Sequence, residues 1–199
     1  MKTRHISGGI YLAAVLLIAV GCTRKVVTVE RDYLGTGWQN YTELNYDAAL
    51  DQFELALLAD PEDADGLNGL GWTYAVLGET TPSLSNFTTG LDFRDPGLVG
   101  TEILAGLTFT YLALGDYGST VATATTALNR SANWIFQHDA AVTHHDLRLA
   151  LAIGYYGLGD FEASLTWVRT LVPSYSANAS TPAGRAQLAE QIETLSAIY

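Results

Sequence analysis

The sequence predicts an all-α chain built of repeated helical hairpins, and three observations predict it. Turn-like Leu77-Gly78, Leu114-Gly115-Asp116-Tyr117 and Leu158-Gly159-Asp160-Phe161 recur, each closing a related segment: GLGWTYAVLG, GLTFTYLALG and ALAIGYYGLG. Apolar residues return at intervals of three and four on both sides of each turn, the spacing of two helices packed face to face. Small side chains recur at fixed places between them. The first such site holds Gly37, Gly71, Thr108 and Ala152; the second Ala49, Ser83, Thr120 and Ser164; the third Ala56, Gly90, Ala127 and Leu171.

The N-terminal segment is of another kind. Residues 1–21 begin with Lys2, Arg4 and His5, followed by a strongly apolar run from Ile10 to Val20. Basic residues before such a run are the plan of a secretory signal, and the run is short of the roughly 20 residues that span a bilayer as a mature helix. It ends in Ile18-Ala19-Val20-Gly21-Cys22, with the only cysteine of the chain. This resembles the bacterial lipobox, in which small residues precede a cysteine that becomes diacylated and forms the new N-terminus. The resemblance implies a covalent lipid on Cys22 and a chain anchored to a membrane without crossing it, since each buried methylene contributes about 0.8 kcal/mol. Thr23 follows the cysteine, where an aspartate marks inner-membrane retention in enterobacterial lipoproteins, so the resemblance implies the outer membrane. Residues 22–29 form a short tether.

Processing at Cys22 removes Lys2 and Arg4 and no acid, which leaves 8 basic and 21 acidic residues, a formal charge of −13. From Asp32 onward there is no lysine, and five arginines face twenty carboxylates. Such a surface repels phosphate backbones, so nucleic acid is not an expected partner.

Residues 30–172 carry the repeats. The first small site sets the offsets: 34 residues from Gly37 to Gly71, 37 to Thr108 and 44 to Ala152. Tyr74, Tyr111 and Tyr155 precede the turns, and Pro61, with Pro96 one place later, follows the second helix in the first two units. The pattern resembles the tetratricopeptide repeat (TPR), a 34-residue antiparallel helix pair that stacks into a superhelix. The resemblance implies a TPR-like α-solenoid of about four units, at 30–63, 64–97, 101–134 and 145–178. The extra residues fall between units, where each repeat touches only its neighbours and insertion is tolerated. In the first unit Leu44 stands at the turn glycine and Asn40 at the tyrosine. After Pro173 a Ser, Ala and Asn-rich loop leads to a last helix within 181–199, with Thr181 as its cap and Pro182 in its first turn. Leu188, Ile192 and Leu195 form its apolar stripe, suited to covering the open end of the stack.

In this family the first helix of each unit lines a concave groove. The corresponding positions are Leu34, Trp38 and Tyr41, then Asn68, Trp72 and Val76, then Phe109 and Leu112, and finally Ile153 and Tyr156. Two roles are open to these rings: gripping an extended or helical apolar segment of a protein partner, or packing against neighbouring first helices or beneath the insert or tail. None of the positions is Lys or Arg, so the basic clamp by which some relatives hold a terminal carboxylate is missing.

The longest insertion, Arg130 to Asp146, carries Trp134, Ile135, Phe136, His138, His144 and His145. His138, His144, His145, Asp139 and Asp146 are metal-ligand types, but adjacent His144 and His145 are expected to point apart on a helix and no HExxH or Cys/His framework accompanies them. A packed aromatic connector or a partner contact suits the insert better, and no metal or cofactor is expected beyond the lipid. No nucleophile elbow or phosphate loop is present, and the glycines of GLNGLG fall on helix-packing sites. The expectation is a non-enzymatic, periplasm-facing scaffold for envelope assembly, serving a pilus, a secretion channel, outer-membrane proteins or cell-wall machinery. A self-associating structural subunit and a metal-dependent enzyme are the alternatives.

Overall fold

The computed structural model describes residues 32–93 and 97–199. The signal segment 1–21, the lipid site Cys22, the tether 22–29 and Pro96 lie outside the described residues. Nine α-helices occur among those described: α1 (Tyr33–Thr42), α2 (Tyr46–Ala59), α3 (Ala64–Val76), α4 (Thr80–Asp92), α5 (Leu98–Ala113), α6 (Tyr117–Arg130), α7 (His144–Gly157), α8 (Phe161–Leu171) and α9 (Pro182–Ser196). None is long and apolar enough to cross a membrane. Helix α5 begins three residues ahead of the repeat start expected at 101.

The helices pair as α1–α2, α3–α4, α5–α6 and α7–α8, and each pair leans on the next. First helices also touch in succession, α1 to α3, α3 to α5, α5 to α7, whereas the second helices α2, α4, α6 and α8 make no such contacts with one another among the described residues. Closer approach on one side makes the first helices the inner, concave layer of an α-solenoid. Helix α9 packs on both α7 and α8, the place a first helix of another unit would take. Its Leu188, Ile192 and Leu195 are buried there. Thr181 accepts a hydrogen bond from the Gly184 amide (3.1 Å), and Pro182 opens the helix.

All four hairpin turns use one device. In the second unit the Gly78 amide donates to the Ala75 carbonyl (3.0 Å) and the Glu79 amide to the Tyr74 carbonyl (2.9 Å), the paired bonds of a Schellman ending. The same pair recurs around Gly115 and Gly159, and around Leu44 in the first unit. The motif needs a left-handed residue, and φ is +77°, +72° and +79° at the glycines and +62° at Leu44. The next helix is then capped by Asp116 in the third unit and Asp160 in the fourth.

Two aromatic rings explain the small residues. Phe53 of α2 and Phe87 of α4 are fully buried. A methyl added at Gly37 would lie 2.6 Å from the Phe53 ring, and one at Gly69 would also strike it. Phe87 presses in the same way on Gly71 and Gly106. Each ring thus wedges between the first helix of its own unit and that of the next. In the third unit the ring position is Ala124, and the facing residues grow to Thr108 and Ala150, all buried, so volume is exchanged across the interface. Hydroxyls at the small sites are paired: Ser164 donates to the Ala152 carbonyl (2.7 Å) and Ser83 bonds Thr110 (3.0 Å). Leu171, the large member of its row, packs half-buried into the cluster formed with α9.

Candidate interaction groove

The structure brings Trp38, Tyr41, Asn68 and Trp72 together on the inner layer and buries all four. What covers them is the chain's own insert. Residues 131–143 cross the groove as an irregular strap with a single antiparallel bridge between Ile135 and Thr143. Its side chains alternate: Trp134 (2 % exposed) and Phe136 (0 %) point inward, whereas Ile135 (53 %) points out. Of the two roles left open for the groove rings, packing beneath the insert is the arrangement in this structure.

The contacts are ring on ring. Phe136 stacks on Trp72 at 4.2 Å and 20°, and His138 stacks on Trp38 at 3.6 Å and 4°. Phe136 meets Trp38 and Tyr41 edge-on at 5.9 and 6.1 Å, and Phe109 lies 6.0 Å from Trp72. Face and edge contacts of this kind add roughly 0.5–1.5 kcal/mol each beyond area burial. The strap also bonds to itself: Phe136 donates to the Val142 carbonyl (2.9 Å), and the His144 amide donates to the Trp134 carbonyl (2.8 Å).

Polar groups lie under the rings. Glu102, fully buried on α5, accepts from Asn68 Nδ2 (2.9 Å) and from the Gln137 backbone amide of the strap. Burial pushes its pKa up to about 7; the bonds from Asn68 and Gln137 pull the other way, and the charge of Asp65 adds to the rise. Burial pushes His138 down to about 4, so its ring is neutral at neutral pH. Tyr41 is raised by burial first, then by Tyr46 and Asp139. Trp38 Nε1 donates to both oxygens of Asp65 (3.2 Å each). Asn68 Oδ1, Glu102 Oε1, Trp72 Nε1, Trp134 Nε1 and His138 Nε2 are buried without a protein hydrogen-bond partner. Such atoms cost about 1–3 kcal/mol apiece.

The remaining groove positions are dispersed. Val76 is 48 % exposed and borders an open cleft of ≈ 300 Å³ shared with Tyr41, Leu44, Tyr46 and His138. Leu34 and Phe109 are half-buried against the core, and Leu112 is half-buried on the same face. Ile153 and Tyr156 belong to the C-terminal cluster, where Tyr156 Oη donates to the Arg185 carbonyl (3.3 Å) and its ring meets Phe161 edge-on at 5.0 Å. The ten positions therefore form no continuous open lining.

His144 and His145 do not point apart as the helical geometry predicts: their rings lie 4.1 Å from each other, tilted by 40°. His144 is the first residue of α7, and its Nδ1 turns back to the Trp134 carbonyl (3.2 Å), which brings the rings together. Among the described residues no group of three or more His, Cys, Asp or Glu side chains is placed to hold a metal ion. Sequence reasoning missed Glu102 and the seating of the strap. The alternation Trp134, Phe136, His138 is the signal of an extended segment with one buried face, and it was available.

The fold is that of solved TPR proteins. A thermophilic TPR protein of Thermus thermophilus matches with a TM-score of 0.55 and 24 % identity, over 82 % of this chain and 81 % of that one. MamA matches with a TM-score of 0.60 and 15 % identity, over 82 % of this chain and 86 % of the other. PilW, a widely conserved type IV pilus biogenesis factor, matches with a TM-score of 0.57 and 18 % identity, over 82 % of this chain and 65 % of PilW. No protein-family model matches the sequence, and no curated protein matches it.

Proposed function

We propose that this chain is a lipid-anchored docking scaffold of the bacterial cell envelope, which holds a protein partner against the concave face of its TPR-like solenoid. The observation that carries the reading is the seating of an extended segment across that face, with Phe136 on Trp72 and His138 on Trp38. A surface able to hold such a segment in cis has the shape and chemistry to hold one in trans. The likeness in fold to PilW supports a place in envelope assembly, with a pilus, a secretion channel, outer-membrane protein assembly or a cell-wall enzyme as the served machinery.

The anchor is the diacylated Cys22, and the location is the periplasmic face of the outer membrane, on the strength of Ile18-Ala19-Val20-Gly21-Cys22-Thr23. Acyl chains confine the scaffold to a surface and raise the effective concentration of whatever it holds. No reaction step is assigned to it. Affinity capture from native membranes, with wild type beside Cys22→Ser, tests the reading. The expected result is a specific protein partner with the wild type, and loss of both fatty-acid labelling and membrane retention in the variant. Labelling that persists in Cys22→Ser contradicts the anchor; a wild-type sample that captures nothing above a mock control contradicts the scaffold.

A further inference from the structure

We infer that the strap is a displaceable ligand of its own groove, and that the partner accepted there is an extended peptide segment bearing large aromatic side chains at two alternate positions and a flat ring two residues further on. The inference rests on the scaffold reading and names its partner chemistry.

The strap supplies the template. Trp134, Phe136 and His138 enter the groove at every second residue, while Ile135, Gln137 and Asp139 stay outside, the footprint of an extended chain with one face bound. Two subsites are defined by flat stacking, Trp72 for the middle ring and Trp38 for the third. The groove's own acids, Asp65 and Glu102, oppose any carboxylate among the inward side chains. A flat ring able to stack on Trp38 suits the third position.

The fit of the strap is incomplete in a way that points to a second occupant. On the groove side Asn68, Glu102 and Trp72 are each more than nine-tenths buried, yet each keeps a polar atom without a protein partner beneath the strap. A segment kept only as core filler is expected to satisfy or avoid such groups. A partner presenting amide or hydroxyl groups between its rings can satisfy them and so displace the strap. The strap's backbone bonds run mainly within itself and to His144 at the start of α7, while Gln137 gives its amide to Glu102, so exchange breaks few bonds to the helices.

The test uses a fluorescein-labelled peptide of residues 131–143, titrated against the full chain in detergent and against the full chain carrying Trp134→Ser, Phe136→Ser and His138→Ser. The triple variant is expected to bind the peptide at least about a hundredfold more tightly than wild type, because the tethered strap competes at an effective concentration on the order of mM. A peptide with serine at the same three positions is expected not to bind. A triple variant that keeps its helical circular dichroism and does not bind, or equal binding to both proteins, overturns the inference. Should the variant lose its helices, hydrogen exchange in wild type decides. Phe136 and His144 amides that exchange while Leu107 of α5 stays protected support a displaceable strap, and simultaneous exchange overturns it. A native partner that cross-links to the solenoid without competing with the peptide also overturns this inference, and leaves the scaffold reading in place.

Discussion

Leu44 is the one non-glycine residue with a left-handed backbone among the described residues. It occupies the left-handed turn position that glycine fills in the other units, with φ +62° and 69 % of its surface exposed. A side chain there costs about 1–2 kcal/mol of backbone strain, partly offset by the greater freedom glycine loses on folding. Leu44→Gly is therefore expected to stabilise the fold by about 1 kcal/mol, read as a rise of roughly 2–4 °C in Tm. A lower Tm would show that Leu44 supplies packing worth more than its strain.

Glu102 and His138 are shifted in opposite directions by burial at the strap. The folded state keeps a proton on Glu102 up to about 7 that the unfolded chain releases near 4.5, so its contribution is full below 4.5 and lost as pH rises through 7. The folded state keeps His138 neutral down to about 4, whereas the unfolded chain protonates near 6.5; its contribution is full above 6.5 and lost as pH falls through 4. The two limbs oppose each other and nearly cancel between 4.5 and 6.5. Single variants should separate them. In urea melts across that range, Glu102→Gln is expected to lose stability toward acid, and His138→Phe to lose it toward neutrality. Identical pH profiles for both variants would contradict the burial of these groups beneath the strap.

At the scale of elements, the wedge of Phe87 between α3 and α5 makes a prediction against helix propensity. Alanine is the better helix former by about 1 kcal/mol, yet Gly106→Ala is expected to destabilise by about 1–3 kcal/mol because its methyl strikes the Phe87 ring. Phe87→Leu in the same chain should recover part of the loss, and a urea midpoint for each variant checks it. Much of this architecture was legible in advance. Leu-Gly turns and three rows of small residues are local, periodic signals, and they located the hairpins and the last helix. Phe53 and Phe87 are not legible from sequence as the reason for those rows, because a ring every 34 residues looks like any other apolar position until its two neighbours are known. The strap was legible only as an aromatic insert. Its alternation gives an extended shape but no address, since the surface it docks on is set by the curvature of the whole stack.

At the scale of the molecule, the first helices form an inner layer and the second helices an outer one, and the inner layer is already occupied. That arrangement keeps Trp38, Tyr41 and Trp72 from water, where they would otherwise make a large apolar patch on a strongly acidic chain. It also makes the groove a place of competition between a tethered segment and an incoming one. Val76, 48 % exposed at the edge of the strap, lies where that competition would be felt, and Leu58, 81 % exposed on α2, lies on the outer layer.

Photo-cross-linking in native membranes decides whether a partner sits on the inner face, with benzoylphenylalanine placed at Val76 in one sample and at Leu58 in another. A partner held on the inner face gives a discrete protein adduct from Val76 and none from Leu58. An adduct from Leu58 alone, or none from either position, contradicts a partner held on the inner face.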